Sequence, residues 1–160
     1  MEITRRNIMA LAAALPAAAA TRRAQAAASA TKIAVTKDPD CGCCNGWVDH
    51  LKAEGFSVEV TKTGAVNRIK AKLGVPKELV SCHTAEVEGY VIEGHVPASA
   101  IRRLLAEKPR ARGLAVPGMP IGSPGMEVDG SAPETYDVVL FGSFGRRVFA
   151  RFEGARELPG

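Results

Sequence analysis

Apolar positions alternate along Lys32–Thr36 ("KIAVT"), with Ile33 and Val35 on one face, and this pattern predicts a first strand. Asp38-Pro39-Asp40 then turns the chain. The period changes after it. Cys44, Val48 and Leu51 recur at i, i+4 and i+7, with Trp47 beside them, which is the stripe of a helix facing a core. Gly55 supplies the C-terminal cap of that helix. Phe56–Val60 alternates again, so the chain opens with a strand–helix–strand unit. A second helix is expected over Ala65–Leu73, with Val66, Ile69 and Leu73 in register and Gly74 and Pro76 ending it. Short strands follow at Val80–Thr84 and Val87–Glu93, then a helix over Ala98–Glu107 that turns Ile101, Leu104 and Leu105 inward and stops at Pro109. Residues 113–130 ("GLAVPGMPIGSPGMEVDG") are so rich in glycine and proline that they exclude a continuous helix or a central strand. Tyr136–Phe141 and Arg147–Phe152 predict a hairpin around "GSFG". The expected class is α/β, a single domain with a mixed sheet, without internal repeats or an interdomain linker.

The length, 160 residues, fits one domain. Its first 30 residues have the layout of an export signal: Arg5 and Arg6, an alanine-rich apolar run over Ile8–Ala20, then small-residue cleavage sites at 24–26 and 28–30. Thr4-Arg5-Arg6-Asn7-Ile8-Met9 is of the twin-arginine kind, with an ordinary secretory signal as the alternative. The apolar run is too short and too weakly apolar to span a membrane. The domain is therefore taken as 31–160 and the protein as exported. This division changes the charge balance. The whole chain has a formal net charge of +4, but residues 31–160 hold 17 Lys and Arg against 16 Asp and Glu. With no long basic run, nothing favours a nucleic-acid partner.

All four cysteines lie in the domain: Cys41, Cys43 and Cys44 within "CGCC", and Cys82 in "SCH". A thiol at a helix N-terminus meets unpaired backbone N–H groups and the positive end of the helix dipole, and both favour thiolate. Thiolate attacks disulfides and also binds soft metals, so the local chemistry supports three readings. Cys41 and Cys44 can be a C-x-x-C redox pair. Three adjacent thiolates with Cys82 can hold Cu(I). Two disulfides can brace a small exported domain. Cys43 favours metal, because a third thiol invites misdirected resolution of a redox pair. If strands lie parallel, their equivalent ends meet, and Cys82 and His83 come opposite the "CGCC" turn. His95 could approach the same edge, whereas His50, one turn along the first helix, is read as exposed and idle. Met119 and Met126 stand in the Gly/Pro-rich segment rather than in an apolar stripe. Thioether sulfur is a soft ligand that forms no disulfide. Zinc is the competing metal, but its structural sites usually draw paired ligands from two spaced turns.

Three segments, "VTKDPDCGCCNGWVDHLKAEGFSVEV", "VPKELVSCHTAEVEGYVIEGHVPASAIRRLLAEKP" and "GLAVPGMPIGSPGME", closely resemble the bacterial family of periplasmic copper-resistance proteins of the CopG type, a C-x-C-C domain long catalogued as of unknown function. The resemblance covers nearly all of residues 32–152. It implies a thioredoxin-like fold, a periplasmic location, and copper held by the C-x-C-C cysteines and a downstream cysteine. Those match Cys41, Cys43, Cys44 and Cys82. His83, Met119 and Met126 match the family's "SCHT" and "GMPxGSPGME" segments and complete the candidate metal set. The expectation is an exported protein that sequesters or relays Cu(I), in contact with other periplasmic copper carriers or exporters, with no catalytic residue assigned. The alternative is a thiol–disulfide or copper oxidoreductase using Cys41 and Cys44.

Overall fold

The computed structural model describes residues 30–159, so the export signal expected over residues 1–30 lies outside them but for Ala30. The strand–helix–strand start is present as β1 (Lys32–Lys37), α1 (Gly42–Ala53) and β2 (Ser57–Lys62). β1 and β2 pair in parallel, Ile33 with Val58 and Val35 with Val60. After α2 (Val66–Lys72) and a 3-10 turn at Lys77–Leu79 come β3 (His83–Val87), β4 (Tyr90–Glu93), α3 (Ala98–Glu107), β5 (Gly113–Ala115), β6 (Thr135–Gly142), β7 (Gly145–Glu153) and β8 (Arg156–Leu158). All eight strands form one mixed sheet in the order β2-β1-β3-β4-β5-β6-β7-β8. The expected mixed α/β domain and its C-terminal hairpin are both observed.

Successive strand residues point to opposite faces, and two cores result. Ile33, Val35, Ile92, Leu114, Leu140 and Phe152 pack with Trp47 and Leu51 of α1 and with Ile101 and Leu104 of α3. On the other face Val91, Ala115 and Phe141 meet Val75 and Leu79. No helix among the described residues is long and apolar enough to cross a membrane.

Four local expectations need correction. First, Val80 caps the 3-10 turn, and β3 begins only at His83. Second, the β3–β4 hairpin turns on Glu88 and Gly89, at φ 44° and 85°. Positive φ at both central residues makes a two-residue turn that matches strand twist, which shortens the second strand to Tyr90–Glu93. Third, Gly113–Ala115 is a central strand, parallel to β4 and antiparallel to β6. Three residues suffice before Pro117 breaks the ladder, and Gly113 is required there: a Cβ would lie 1.7 Å from the Val91 carbonyl oxygen. Fourth, β8 adds an edge strand after the hairpin.

The pairing that builds the site also differs from expectation. β1 and β3 run antiparallel, with Lys37 opposite His83. The C-terminal end of β1 thus meets the N-terminal end of β3, and "CGCC" and "SCH" become neighbours through antiparallel rather than parallel strands.

Candidate metal centre

Cys41 is the N-cap residue of α1, in extended conformation, and its side chain caps no N–H group. Cys43 and Cys44 lie in the first turn, where backbone N–H groups lack helical partners. Cys44 is fully buried, while Cys41, Cys43 and Cys82 are partly exposed. The four sulfur atoms lie within 4.8 Å of one another. Cys41 and Cys44 form a disulfide, whereas Cys43 and Cys82 are free. Cys43 Sγ stands 3.6 Å from Cys41 Sγ and 3.8 Å from Cys82 Sγ, and Cys82 Sγ is 3.5 Å from Cys44 Sγ. A domain braced by two disulfides is therefore not what is found.

Cys82 also belongs to a second donor group, with His83 and His95. Its sulfur lies 3.3 Å from His83 Nδ1 and 3.1 Å from His95 Nε2. His95 Nδ1 is 2.8 Å from the Pro124 carbonyl. That oxygen only accepts, so Nδ1 carries the proton and Nε2 presents its lone pair to Cys82, the arrangement that fixes the tautomer of a ligating histidine. His83 is sandwiched against Trp47, at a ring separation of 4.3 Å, with the edge of His95 beyond it. Its Nε2 is buried without a hydrogen-bond partner.

Burial pushes the Cys82 thiol up to about 11, and the adjacent Cys43 adds to this, while the Ser81 hydroxyl and Lys70 act in the opposite direction. Burial also holds His83 well below the ordinary 6.5, reinforced by His95, Lys70 and Lys37. His95 is lowered for the same reason, partly offset by its bond to Pro124 and by Glu127. Both imidazoles are thus neutral near pH 7, the form that ligates metal.

Beneath Cys82 lies a buried ion pair. Lys70 Nζ is 2.5 Å from Glu93 Oε1 and donates to the carbonyl oxygens of Ser81, at 2.6 Å, and His83, at 3.3 Å. The Ser81 N–H donates to the same Glu93 oxygen, at 2.7 Å. These bonds grip the backbone on both sides of Cys82. Lys37, on the face of His83, is fully buried, and its Nζ has no partner.

The Gly/Pro-rich segment forms the remaining wall. The Ser81 hydroxyl donates to the Gly118 carbonyl, beside Met119, and Pro124 accepts from His95. Gly125 packs against Gly46 of α1: a Cβ on Gly125 would lie 2.4 Å from the Trp47 nitrogen, and one on Gly46 would lie 2.9 Å from Gly125 Cα. Met119 is about half exposed, at 51%, and Met126 is partly buried. The structure thus gathers Cys41, Cys43, Cys44, Cys82 and His83, adds His95, and puts both methionines on the loop that abuts them. His50 is not idle. It is half-buried, and its Nε2 accepts from the Ala98 N–H at the start of α3.

Comparison with known proteins places this geometry. Residues 79–126 match the model of a family described as a protein of unknown function, DUF411. Two solved structures, described as copper resistance protein CopG, forms 2 and 1, are each 42% identical to this chain. The first has a TM-score of 0.73 and the match covers 77% of this chain and 98% of that one; for the second the values are 0.72, 78% and 99%. The chain belongs to the CopG family. No curated protein matches. The family-model match begins after the C-x-C-C turn but includes Cys82, His83, His95, Met119 and Met126. Within this member of the family, then, the DUF411 match contains the downstream donors and the loop, while the β1–α1 turn contributes the other three sulfurs.

The soft donor set fits copper. Two free thiols, two further sulfurs that become thiols when the Cys41–Cys44 disulfide is reduced, and two neutral imidazoles, one with a buried unpartnered nitrogen, are donors of the soft and borderline kind that copper takes.

Proposed function

We propose that this CopG-family protein is an exported copper-binding protein that sequesters or relays Cu(I). The observation that carries this reading is the convergence of Cys41, Cys43, Cys44 and Cys82 within 4.8 Å. With the disulfide reduced, these thiolates take up Cu(I) as cargo, and His83 and His95 supply imidazole nitrogen at the Cys82 side. Met119 and Met126 supply thioether from the loop. The description of the related structures as copper resistance proteins supports copper over zinc. The signal-like N-terminus supports work in the periplasm, and a compartment where disulfides persist is consistent with a linked Cys41–Cys44 pair. Anaerobic titration of the reduced protein with Cu(I), with metal analysis, tests the reading. At least one copper per chain is expected, lost in Cys43→Ser/Cys44→Ser. A stoichiometry below one, or an unchanged variant, refutes it.

The disulfide itself favours a second reading, a thiol–disulfide or copper oxidoreductase. Reducing it takes two electrons and two protons, and two Cu(I) substrates oxidised to Cu(II) provide the electrons. Disulfide reduction by metal-free protein that is insensitive to Cys82→Ser and Met119→Leu would favour plain thiol exchange at Cys41 and Cys44.

A further inference from the structure

The strands have a second end, away from the sulfurs. β5 is antiparallel to β6, with Gly113 opposite Phe141 and Ala115 opposite Val139. The loop that follows Ala115 walls the metal centre, so the β6–β7 turn and residues 108–112 lie at the opposite pole of the sheet. That turn is tight: Gly142 pairs with Gly145, which leaves Ser143 and Phe144 at its tip. Such positions favour glycine, asparagine, aspartate or serine. Phe144 instead carries a large apolar ring there, half exposed at 50%. Neither the turn nor the core accounts for it. The charges around it are mostly of one sign. Lys108, Arg110, Arg112, Arg146 and Arg147 are all exposed at this pole, in a domain whose 17 basic residues nearly balance 16 acidic ones. Arg110, Ala111, Arg112 and Ser143 line one open recess of about 350 Å³. The Arg147 guanidinium stands over the Phe144 ring, 5.8 Å from its centre. The nearby acids are Glu78, 3.3 Å from Arg146, Glu107, 3.6 Å from Arg103, and Glu88 on the β3–β4 turn.

We propose that this pole docks on an anionic lipid bilayer. Phe144 enters the boundary between headgroups and acyl chains, and the arginines around it meet lipid phosphates. An apolar ring with cations beside it is the pairing that holds a protein at that boundary, with the ring inside and the charges at the headgroups. Guanidinium suits phosphate through its paired N–H donors, and the recess between Arg110 and Arg112 offers two of them to one headgroup. Shape favours a bilayer over a folded partner. A protruding turn tip has no groove to be filled, and a fluid surface needs no matching contour. One ring and a few charges give a weak, reversible attachment. Docked in this way, the molecule holds Cys41, Cys43, Cys44 and Cys82 at the end turned from the lipid.

This inference does not rest on the copper reading, and its test uses metal-free protein. The full chain and its variants are sedimented with vesicles of phosphatidylcholine, alone or mixed with phosphatidylglycerol. Residues 1–29 are common to every variant, so differences between variants report the pole. Binding to the mixed vesicles is expected, and it should weaken with salt. Arg110→Gln/Arg147→Gln should weaken it about 30-fold, at about fivefold for each cation. Phe144→Ser should weaken it as well, with near-ultraviolet circular dichroism reporting an intact fold. Phe144→Trp adds a direct readout. Its emission should shift to the blue on the mixed vesicles and be quenched by lipids brominated on the acyl chain, while the fully buried Trp47 supplies a constant background. No sedimentation with the mixed vesicles, equal binding by the wild type and both weakened variants, or an emission that neither shifts nor is quenched overturns the proposal. Self-association without vesicles that Phe144→Ser abolishes also overturns it, in favour of a second copy of the chain.

Discussion

The two ends of the sheet are built on different principles. β5 to β8 contribute side chains such as Leu114, Leu140, Phe141 and Phe152 to a dry interior, and the one buried phenol there, Tyr136, donates to the Gly154 carbonyl at 2.7 Å. The end around β1, β3 and β4 buries Lys37, Lys70, His83, Thr84, Glu93 and His95. Among the described residues, the buried side-chain atoms without partners, on Lys37, His83, Thr84 and Glu93, are all at this end. Buried polar groups are costly unless paired, so the molecule concentrates its unfavourable burial beside the sulfurs and relies on the other end for cohesion. The polar end carries the sulfur and imidazole donors, the apolar end the cohesion.

Removing one partner at the polar end should have the largest effect. Lys70→Met leaves Glu93 buried and unpaired, and a loss of about 3–5 kcal/mol is expected in denaturant unfolding of the metal-free protein. Phe152→Ala at the apolar end should cost a similar amount through its cavity, about 3–5 kcal/mol. The two differ in how they can be rescued. Lys70→Met/Glu93→Leu should regain most of the lost stability, because an apolar pair can replace a buried ion pair. Under the Cu(I)-binding function proposed above, that double variant should still bind the ion more weakly, since the backbone around Cys82 loses its clamp. A double variant as unstable as Lys70→Met would erase the distinction between the ends.

Acidification should act on the polar end next. His50, His83 and His95 are all lowered by burial, so the unfolded chain binds more protons than the folded one as the pH falls through 6.5. Stability of the metal-free protein should then be fully present above 6.5 and decline towards the lower folded-state values. Unfolding midpoints followed from about pH 8 to 5 check this, and His83→Gln should flatten the slope. A midpoint that holds constant over that range would contradict it. The smallest effect is expected at His50→Ala, which removes the acceptor for the first N–H of α3 and should cost about 1 kcal/mol. A loss too small to resolve would return His50 to the idle role that its sequence position suggests.

How much could be read beforehand follows the same division. The β1–α1–β2 unit, α3 and the hairpin were legible, because their periodicities are local and their ends are marked by glycine and proline. β5 was not, because a three-residue strand before Pro117 has no pattern of its own and exists only by pairing with β4 and β6. At the site, the cysteine set and His83 were legible as chemistry, but their meeting point was inferred from the wrong strand direction. His95 was visible only as a neighbour, since its tautomer depends on Pro124, 29 residues away. The buried lysines did carry a signal. Lys37 follows Ile33 and Val35 at period two, and Lys70 stands one helical turn after Val66. In both cases the alternation pointed inward, and the charge alone argued for solvent.

The contact between Gly46 and Gly125 sets a limit on how this site can vary. Where two main chains touch with no side chain between them, spacing is set by atomic radii, and no rotamer can absorb an intruder. The distance between the cysteine turn and the methionine loop is thus held by a spacer of fixed width. At either position the smallest available change is a whole methyl group, wedged against backbone at 2.4 Å or 2.9 Å. The spacing between helix and loop can therefore change in jumps but not by degrees.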